Sequence, residues 1–183
     1  MRHATMQKIA EALAEQRVAT FRYNFPYSEK GSGRDSTATC VTTIRSAVAA
    51  AQKAAPDLLI LAGGHSFGGR MTSTAQSEKP IEGVKGLVFS SFPLHMPGRP
   101  DTKRAEHLAN VQIPMLFLSG TRDALAELDL LKPVVKKLGK RATLHLLDSA
   151  DHSYKILKKT RKSDEDVFVE MARTVKEWTT AIK

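Results

Sequence analysis

The residues that first invite a chemical reading are Gly64-His65-Ser66-Phe67-Gly68, a serine with a glycine two positions away on each side. A nearly continuous apolar run over residues 57–62 precedes them and a helical pattern follows through about Ser77. A serine on a sharp strand-to-helix turn holds a strained backbone, at a cost of about 1–3 kcal/mol, and its hydroxyl is lifted clear of the sheet. Residues two before and two after such a serine are forced together, so small side chains are expected there, and Gly64 and Gly68 satisfy this. The first helical residue, Phe67, offers an unpaired backbone N–H and the positive end of the helix dipole to a developing oxyanion. The chemistry in view is attack of a hydroxyl on a carbonyl carbon. The competing reading is a glycine-rich turn that only lets a strand and a helix pack closely.

A serine hydroxyl needs a base, and an imidazole base needs an acid to fix its tautomer and stabilise the imidazolium. Six histidines compete. His152 lies in the loop Asp148-Ser149-Ala150-Asp151-His152-Ser153 after the last predicted strand, from which a side chain reaches back over the sheet edge. His145 falls within that strand and reads as a packed residue. His65 is expected to point away from the site if Ser66 points up. His3 and His107 sit on helical stretches, and His95 lies in a proline-containing loop where it could line a pocket. For the acid, Gly120-Thr121-Arg122-Asp123 follows the apolar run 115–119, which favours Asp123. Asp151 is too close to His152 along the chain to orient it comfortably and reads as surface charge. Asp148 is the better of the remaining alternatives.

The elements that must position these groups alternate. Met6, Ile9, Ala10 and Leu13 recur at helical spacing up to about Gln16. Residues 18–25 alternate, with Ala19, Phe21, Tyr23 and Phe25 on one face, and predict a strand stopped by Pro26. A loop around Gly31-Ser32-Gly33 leads to a long helix over about 36–54, closed by Pro56. Residues 57–62 predict a strand covered on both faces. Strands are then expected at 86–90, 115–119 and 142–147, with helices at 102–110, at 125–138 with a kink or break at Pro133, and at 164–182. Alternating βα units of this length imply one α/β domain over residues 1–183, a parallel sheet with helices on both faces, and chemistry at the carboxyl ends of the strands.

Composition narrows the classes. Apolar residues at 42% and charged residues at 26% match globular usage, which argues against disorder or a fibrous repeat. The apolar runs are too short to span a bilayer, and no secretory leader is read at the N-terminus, so a cytoplasmic protein without a membrane partner is expected. The single cysteine, Cys40, cannot form an intrachain disulfide and reads as a buried thiol. No metal cluster, nucleotide motif or cofactor signature is read. The net charge of +9 raises an anionic partner, but the runs at 136–137 and 158–162 lack interleaved aromatics, so solvated faces are preferred over nucleic-acid binding, with acidic substrates or weak polyanion affinity as the remainder.

The order Ser66, Asp123, His152 is that of α/β-hydrolases. The chain resembles the small lid-less members of that superfamily, similar to the dienelactone-hydrolase group and to bacterial relatives of the animal testis-expressed and nonspecific-lethal-complex hydrolase-like proteins. The resemblance rests on residues 22–27 (RYNFPY), 63–71 (GGHSFGGRM), 92–95 (FPLH), 120–125 (GTRDAL) and 150–153 (ADHS). It implies a nucleophile at Ser66, an acid at Asp123, a base at His152 and no lid, with Phe92, Leu94 and His95 as candidate pocket walls. It also implies a departure: relatives begin with an apolar strand and a His-Gly loop carrying a second oxyanion donor, neither of which precedes Met1. That strand would lie between residues 18–25 and 57–62. Without it, the first strand is expected to slide across and pair with 57–62, or to leave facing backbone groups unpaired at about 1–3 kcal/mol each, or to pair with a second copy as a homodimer. The chain is read either as starting at an internal methionine or as a natural short form. The functional expectation is hydrolysis of a small ester or thioester through an acyl-enzyme on Ser66; the alternative is a weak or inactive hydrolase fold serving as an interaction module with a basic surface.

Overall fold

The apolar runs after residue 57 become a parallel sheet. In the computed structural model, which describes residues 4–31 and 33–182, β1 (Ile60–His65), β2 (Val84–Ser90), β3 (Met115–Gly120) and β4 (Ala142–Leu147) lie side by side in chain order with every pair parallel. His3, one of the six histidines, lies outside the described residues, as do Met1, Arg2, Ser32 and Lys183. The connecting helices are α1 (Ala4–Glu15), α2 (Pro26–Lys30), α3 (Thr37–Ala54), α4 (Phe67–Glu78), α5 (Leu128–Leu138) and α6 (Val167–Ala181), with short 3-10 helices at Lys103–Asn110 and Gly139–Arg141.

Period-two alternation divides each central strand between two cores. Leu87, Phe89, Met115 and Phe117 face α3, α4 and α5, where they meet Ile44, Met71, Leu131 and Val135. Leu116 and Leu118 face the opposite side, where α6 brings Val167, Met171, Val175 and Trp178, and α1 adds Ile9 and Leu13. Phe89, Phe117, Leu116 and Leu118 are at most 2% exposed, so each contributes about 1.5–3 kcal/mol of burial. The result is the three-layer α/β architecture with no lid domain: between Ser66 and Asp123 the chain holds only α4, β2, the 103–110 turn of helix and β3. Caps fix where helices begin. The Ser36 hydroxyl accepts from Thr39 N–H at 3.1 Å, and Asp166 accepts from Phe168 N–H at 2.8 Å.

Several expectations are corrected. β1 begins at Ile60 and runs through Gly63-Gly64-His65, which the sequence reading assigned to the turn. Those glycines are strand residues because β2 approaches closely: a Cβ on Gly63 would lie 1.9 Å from the Val88 carbonyl oxygen. Pro133 neither ends nor divides α5, and Pro26, expected to stop a strand, opens α2 in the N1 position that suits its missing N–H. Residues 102–110 wind as 3-10 rather than α-helix, starting at Lys103.

The largest correction concerns residues 18–25, which form no strand. Alternation is present, but a strand also needs a partner, and neither that segment nor the outer edge of β1 has one among the described residues. The N–H of Val18 instead donates to Leu13 C=O at 2.9 Å, closing α1. The expected slide onto β1 does not occur. Between β1 and residues 17–23 lies a cavity of about 710 Å³, floored by Ile44, Ala47, Val48 and Ala51 of α3. A second cavity, of about 210 Å³, follows the same edge on the α1–α6 side.

Candidate active site

β1 ends at His65, and the next residue turns sharply: Ser66 has φ 50° and ψ −114°, a left-handed backbone that L-residues rarely adopt. The surroundings hold it there. Ser66 N–H donates to Ser90 C=O at 2.9 Å, extending the β1–β2 ladder, while Ser66 C=O accepts from Arg70 N–H at 3.1 Å as α4 starts. The Thr72 hydroxyl lies 2.9 Å from Gly68 C=O and 3.3 Å from Gly63 C=O, tying helix to strand. The steric demand at the turn falls on Gly64 and Gly69 rather than on Gly64 and Gly68. A Cβ on Gly69 would approach the Gly64 carbonyl oxygen to 2.6 Å, whereas one on Gly68 would meet nothing within 4 Å.

The loops after β3 and β4 bring the other two groups to this turn. The Ser66 hydroxyl donates to His152 Nε2 at 2.8 Å, and His152 Nδ1 lies 2.9 Å from both carboxylate oxygens of Asp123. That arrangement puts the imidazole proton on Nδ1 and leaves Nε2 as the acceptor. The Asp123 side chain is fully buried and its Oδ1 also accepts from Leu125 N–H at 2.9 Å, while His152 keeps 21% of its side chain exposed. The two loops are fastened together. Arg122 N–H donates to Ala150 C=O at 2.9 Å, Thr121 N–H to Leu147 C=O at 3.0 Å, and Ser149 N–H to the Thr121 hydroxyl at 2.8 Å. Gly120 makes this approach possible, since a Cβ there would sit 2.3 Å from the Ala150 carbonyl oxygen.

The alternative acids serve their own loop. Asp148 Oδ2 accepts from Lys162 N–H at 2.8 Å, and Asp151 Oδ1 accepts from Ser153 and Lys155 N–H. Among the other histidines, His145 pairs with Glu170 at 2.9 Å, and His107 lies 2.7 Å from the Ser73 hydroxyl, its pKa lowered by burial and by the charge of Arg70. His65 departs from expectation: its ring packs 5.4 Å from that of His152, tilted by 45°. Behind it, His65 Nδ1 contacts the Ser90 hydroxyl at 3.2 Å, and Ser90 contacts the Tyr154 hydroxyl at 2.8 Å. Tyr154, which also donates to Leu118 C=O at 3.1 Å, is held protonated by its burial. The sequence reading missed Ser90 and Tyr154, and only Tyr154, two residues past His152, carried a local signal.

Phe92, Leu94 and His95, the candidate pocket walls, are packed into the protein. All three are at most 1% exposed; Phe92 stacks in the core against Phe89 and Phe117, and His95 is bonded to Glu127 and to Met96 C=O. The shoulder beside Ser66 is formed elsewhere. The ring of Phe67 lies edge-on to Phe25 at 5.7 Å and to Tyr27 at 6.3 Å, with the guanidinium groups of Arg34 and Arg70 over it at 4.8 and 5.4 Å. No group of three His, Cys, Asp or Glu among the described residues could hold a metal ion, and no described helix is long and apolar enough to cross a membrane.

Comparison with solved structures places the fold among known hydrolases. The chain is similar to an alpha-beta serine hydrolase homologue from Coxiella burnetii, with TM-score 0.71 and 18% identity over 97% of this chain and 76% of that one. An esterase domain from a Rhodothermus marinus protein matches with TM-score 0.68 and 16% identity, covering 100% and 83%. A serine hydrolase without a lid from Xanthomonas campestris gives TM-score 0.66 and 17% identity, covering 99% and 74%. At these identities the likeness speaks to the fold. The family is settled by a sequence model described as alpha/beta hydrolase domain, which matches residues 1–180: the chain belongs to that family.

Proposed function

We propose that the protein is a serine hydrolase that cleaves a small ester or thioester through an acyl-enzyme on Ser66. The observation that carries this is the relay from the Ser66 hydroxyl to His152 Nε2 at 2.8 Å and from His152 Nδ1 to Asp123 at 2.9 Å. Ser66 Oγ forms a bond to the substrate carbonyl carbon while its proton passes to His152 Nε2. The carbonyl oxygen takes the electron pair, and the Phe67 N–H at the start of α4 is the donor offered to it. As the bond to the alcohol or thiol leaving group breaks, Nε2 returns the proton to it. Water then repeats the sequence, giving its proton to Nε2 and its oxygen to the acyl carbon, and Ser66 departs with the proton. The Asp123 carboxylate holds the tautomer and stabilises the imidazolium. His65 is a positioning residue, packed on the imidazole from the side of Ser90 and Tyr154.

Hydrolysis of p-nitrophenyl acetate by the protein and by Ser66→Ala tests this. Turnover by the former that falls to the buffer rate in the latter, with unchanged circular dichroism, supports it; equal rates overturn it. A second reading, a hydrolase fold used as an interaction module, is favoured by the +9 charge and by a β1 edge that has no strand partner among the described residues. Salt-sensitive retention on a polyanion by a folded protein that fails to turn over the ester would select it.

A further inference from the structure

A second chemical feature sits one helical turn past the nucleophile. Arg70 is half-buried on α4, its N–H bonded to Ser66 C=O at 3.1 Å and its guanidinium over the ring of Phe67. Five other arginines are buried to the same degree, and each has its donors engaged. Arg45 caps α4 through Ala75 and Lys79 C=O, Arg104 donates to His95 C=O, Arg141 donates to Ala109 and Val111 C=O, and Arg161 and Arg173 pair with glutamates. The Arg70 guanidinium has no hydrogen-bond acceptor and no carboxylate partner among the described residues. Five N–H donors on a permanent cation, held over the ring of the residue that follows Ser66, are thus left to solvent or ligand.

Like charge is gathered around it. Arg34, from the loop between α2 and α3, also lies over Phe67 and makes no ion pair among the described residues. Burial first, and then the charges of Arg104 and Arg34, lower the pKa of Arg70. An arrangement that confines cations without counter-charge is costly unless an anion completes it. A planar guanidinium receives a carboxylate or phosphate through two parallel hydrogen bonds, and such charge-assisted bonds are about twice as strong as neutral ones.

We propose that the substrate carries an oxyanion, a carboxylate or a phosphate, and that Arg70 receives it beside Ser66 with Arg34 and Arg104 supplying further positive charge. The proposal rests on the serine-hydrolase reading for its substrate, but its binding site is testable apart from turnover.

Two measurements separate the ideas. The first compares kcat/KM for p-nitrophenyl butyrate with that for the mono-p-nitrophenyl ester of glutarate, which differs by a carboxylate on the acyl chain. The anionic ester is expected to be preferred by tenfold or more, and Arg70→Met to cut that ratio about tenfold, mainly through KM; Arg34→Met, at an exposed position, should cut it several-fold even if Arg70→Met folds poorly. Equal use of both esters, or a ratio unmoved by both variants, overturns the proposal. The second is calorimetric binding of glutarate and of inorganic phosphate to the protein and to the same variants. Arg-dependent binding of glutarate assigns the site to a carboxylate and of phosphate to a phosphoryl group. Binding of neither, or binding that survives both substitutions, overturns the site. If neither ester is turned over and Arg-dependent binding persists, the hydrolase reading fails and the anion site stands.

Discussion

The loops after β3 and β4 and the segment beside β1 both converge on Ser66, yet they are held in different ways. On the first side, backbone and side-chain hydrogen bonds lock Thr121, Arg122, Ser149 and Ala150 together, and Asp123 is buried beneath them. On the second, residues 18–25 pair with no strand among the described residues, a cavity of about 710 Å³ runs along the edge of β1, and the contacts near Ser66 are aromatic and cationic. Asp123 and His152 are therefore fixed in place without a ligand, since hydrogen bonds define direction as well as distance. The side that a substrate and its charge would meet is held by contacts that tolerate rearrangement.

The sharpest way to break this contrast is on the fixed side. Asp123→Asn keeps the shape but presents an amide to His152 Nδ1, and kcat for ester hydrolysis is expected to fall about 10⁴-fold with the fold intact; a fall below about tenfold would mean the loop does not set the tautomer. Core packing should differ next. Phe117→Ala, at a fully buried position of β3, is expected to lower stability by about 3–5 kcal/mol, while Phe21→Ala, 51% exposed beside the β1 edge, should stay within about 0.5 kcal/mol in urea unfolding. Similar losses at both sites would show that residues 18–25 are packed as firmly as the sheet.

A finer test uses neighbouring glycines of α4. Gly69→Ala drives a Cβ toward the Gly64 carbonyl and is expected to cost about 1–3 kcal/mol, whereas Gly68→Ala, with open space, should be neutral or stabilising by up to about 1 kcal/mol from helix propensity. Thermal denaturation of the two variants reads the difference, and the reverse order would contradict the geometry. The smallest effect is the pH dependence of the His95–Glu127 pair. Burial pulls His95 down, but Met96 C=O and Glu127 outweigh it, so its pKa is raised from 6.5; its share of stability is full below about 6.5 and lost as pH rises through the raised value. Glu127 moves the other way. Burial opposes, but its own backbone and His95 prevail, lowering it from 4.5, so its share is present above about 4.5 and lost as pH falls through the lowered value. The pair therefore contributes most between those limits, and Glu127→Gln should flatten the melting temperature across them.

What the sequence made legible follows the same division. The meeting of Ser66, Asp123 and His152 could be read because each follows a strand, and β3 because its continuous run of large apolar residues, Met115 to Leu118, has one structural meaning here. Residues 18–25 misled because alternation describes one segment, while a strand requires two. Phe92 and Leu94 were placed by their loop position, but only the packed core shows that they turn inward. His65 was set aside by a rule about adjacent side chains, and its approach to His152 depends on β4, which follows it by about eighty residues of chain. Arg70 stood inside a motif read for its glycines, and that its guanidinium has no hydrogen-bond acceptor among the described residues is visible only once the other half-buried arginines have been placed.

The central claim is that Ser66 is an activated nucleophile. Incubating the protein with a fluorophosphonate and mapping the adduct by peptide mass spectrometry tests it most directly. Covalent labelling of Ser66 is expected, lost in His152→Ala and in denatured protein; a folded protein that remains unlabelled, or that is labelled equally without His152, would contradict it.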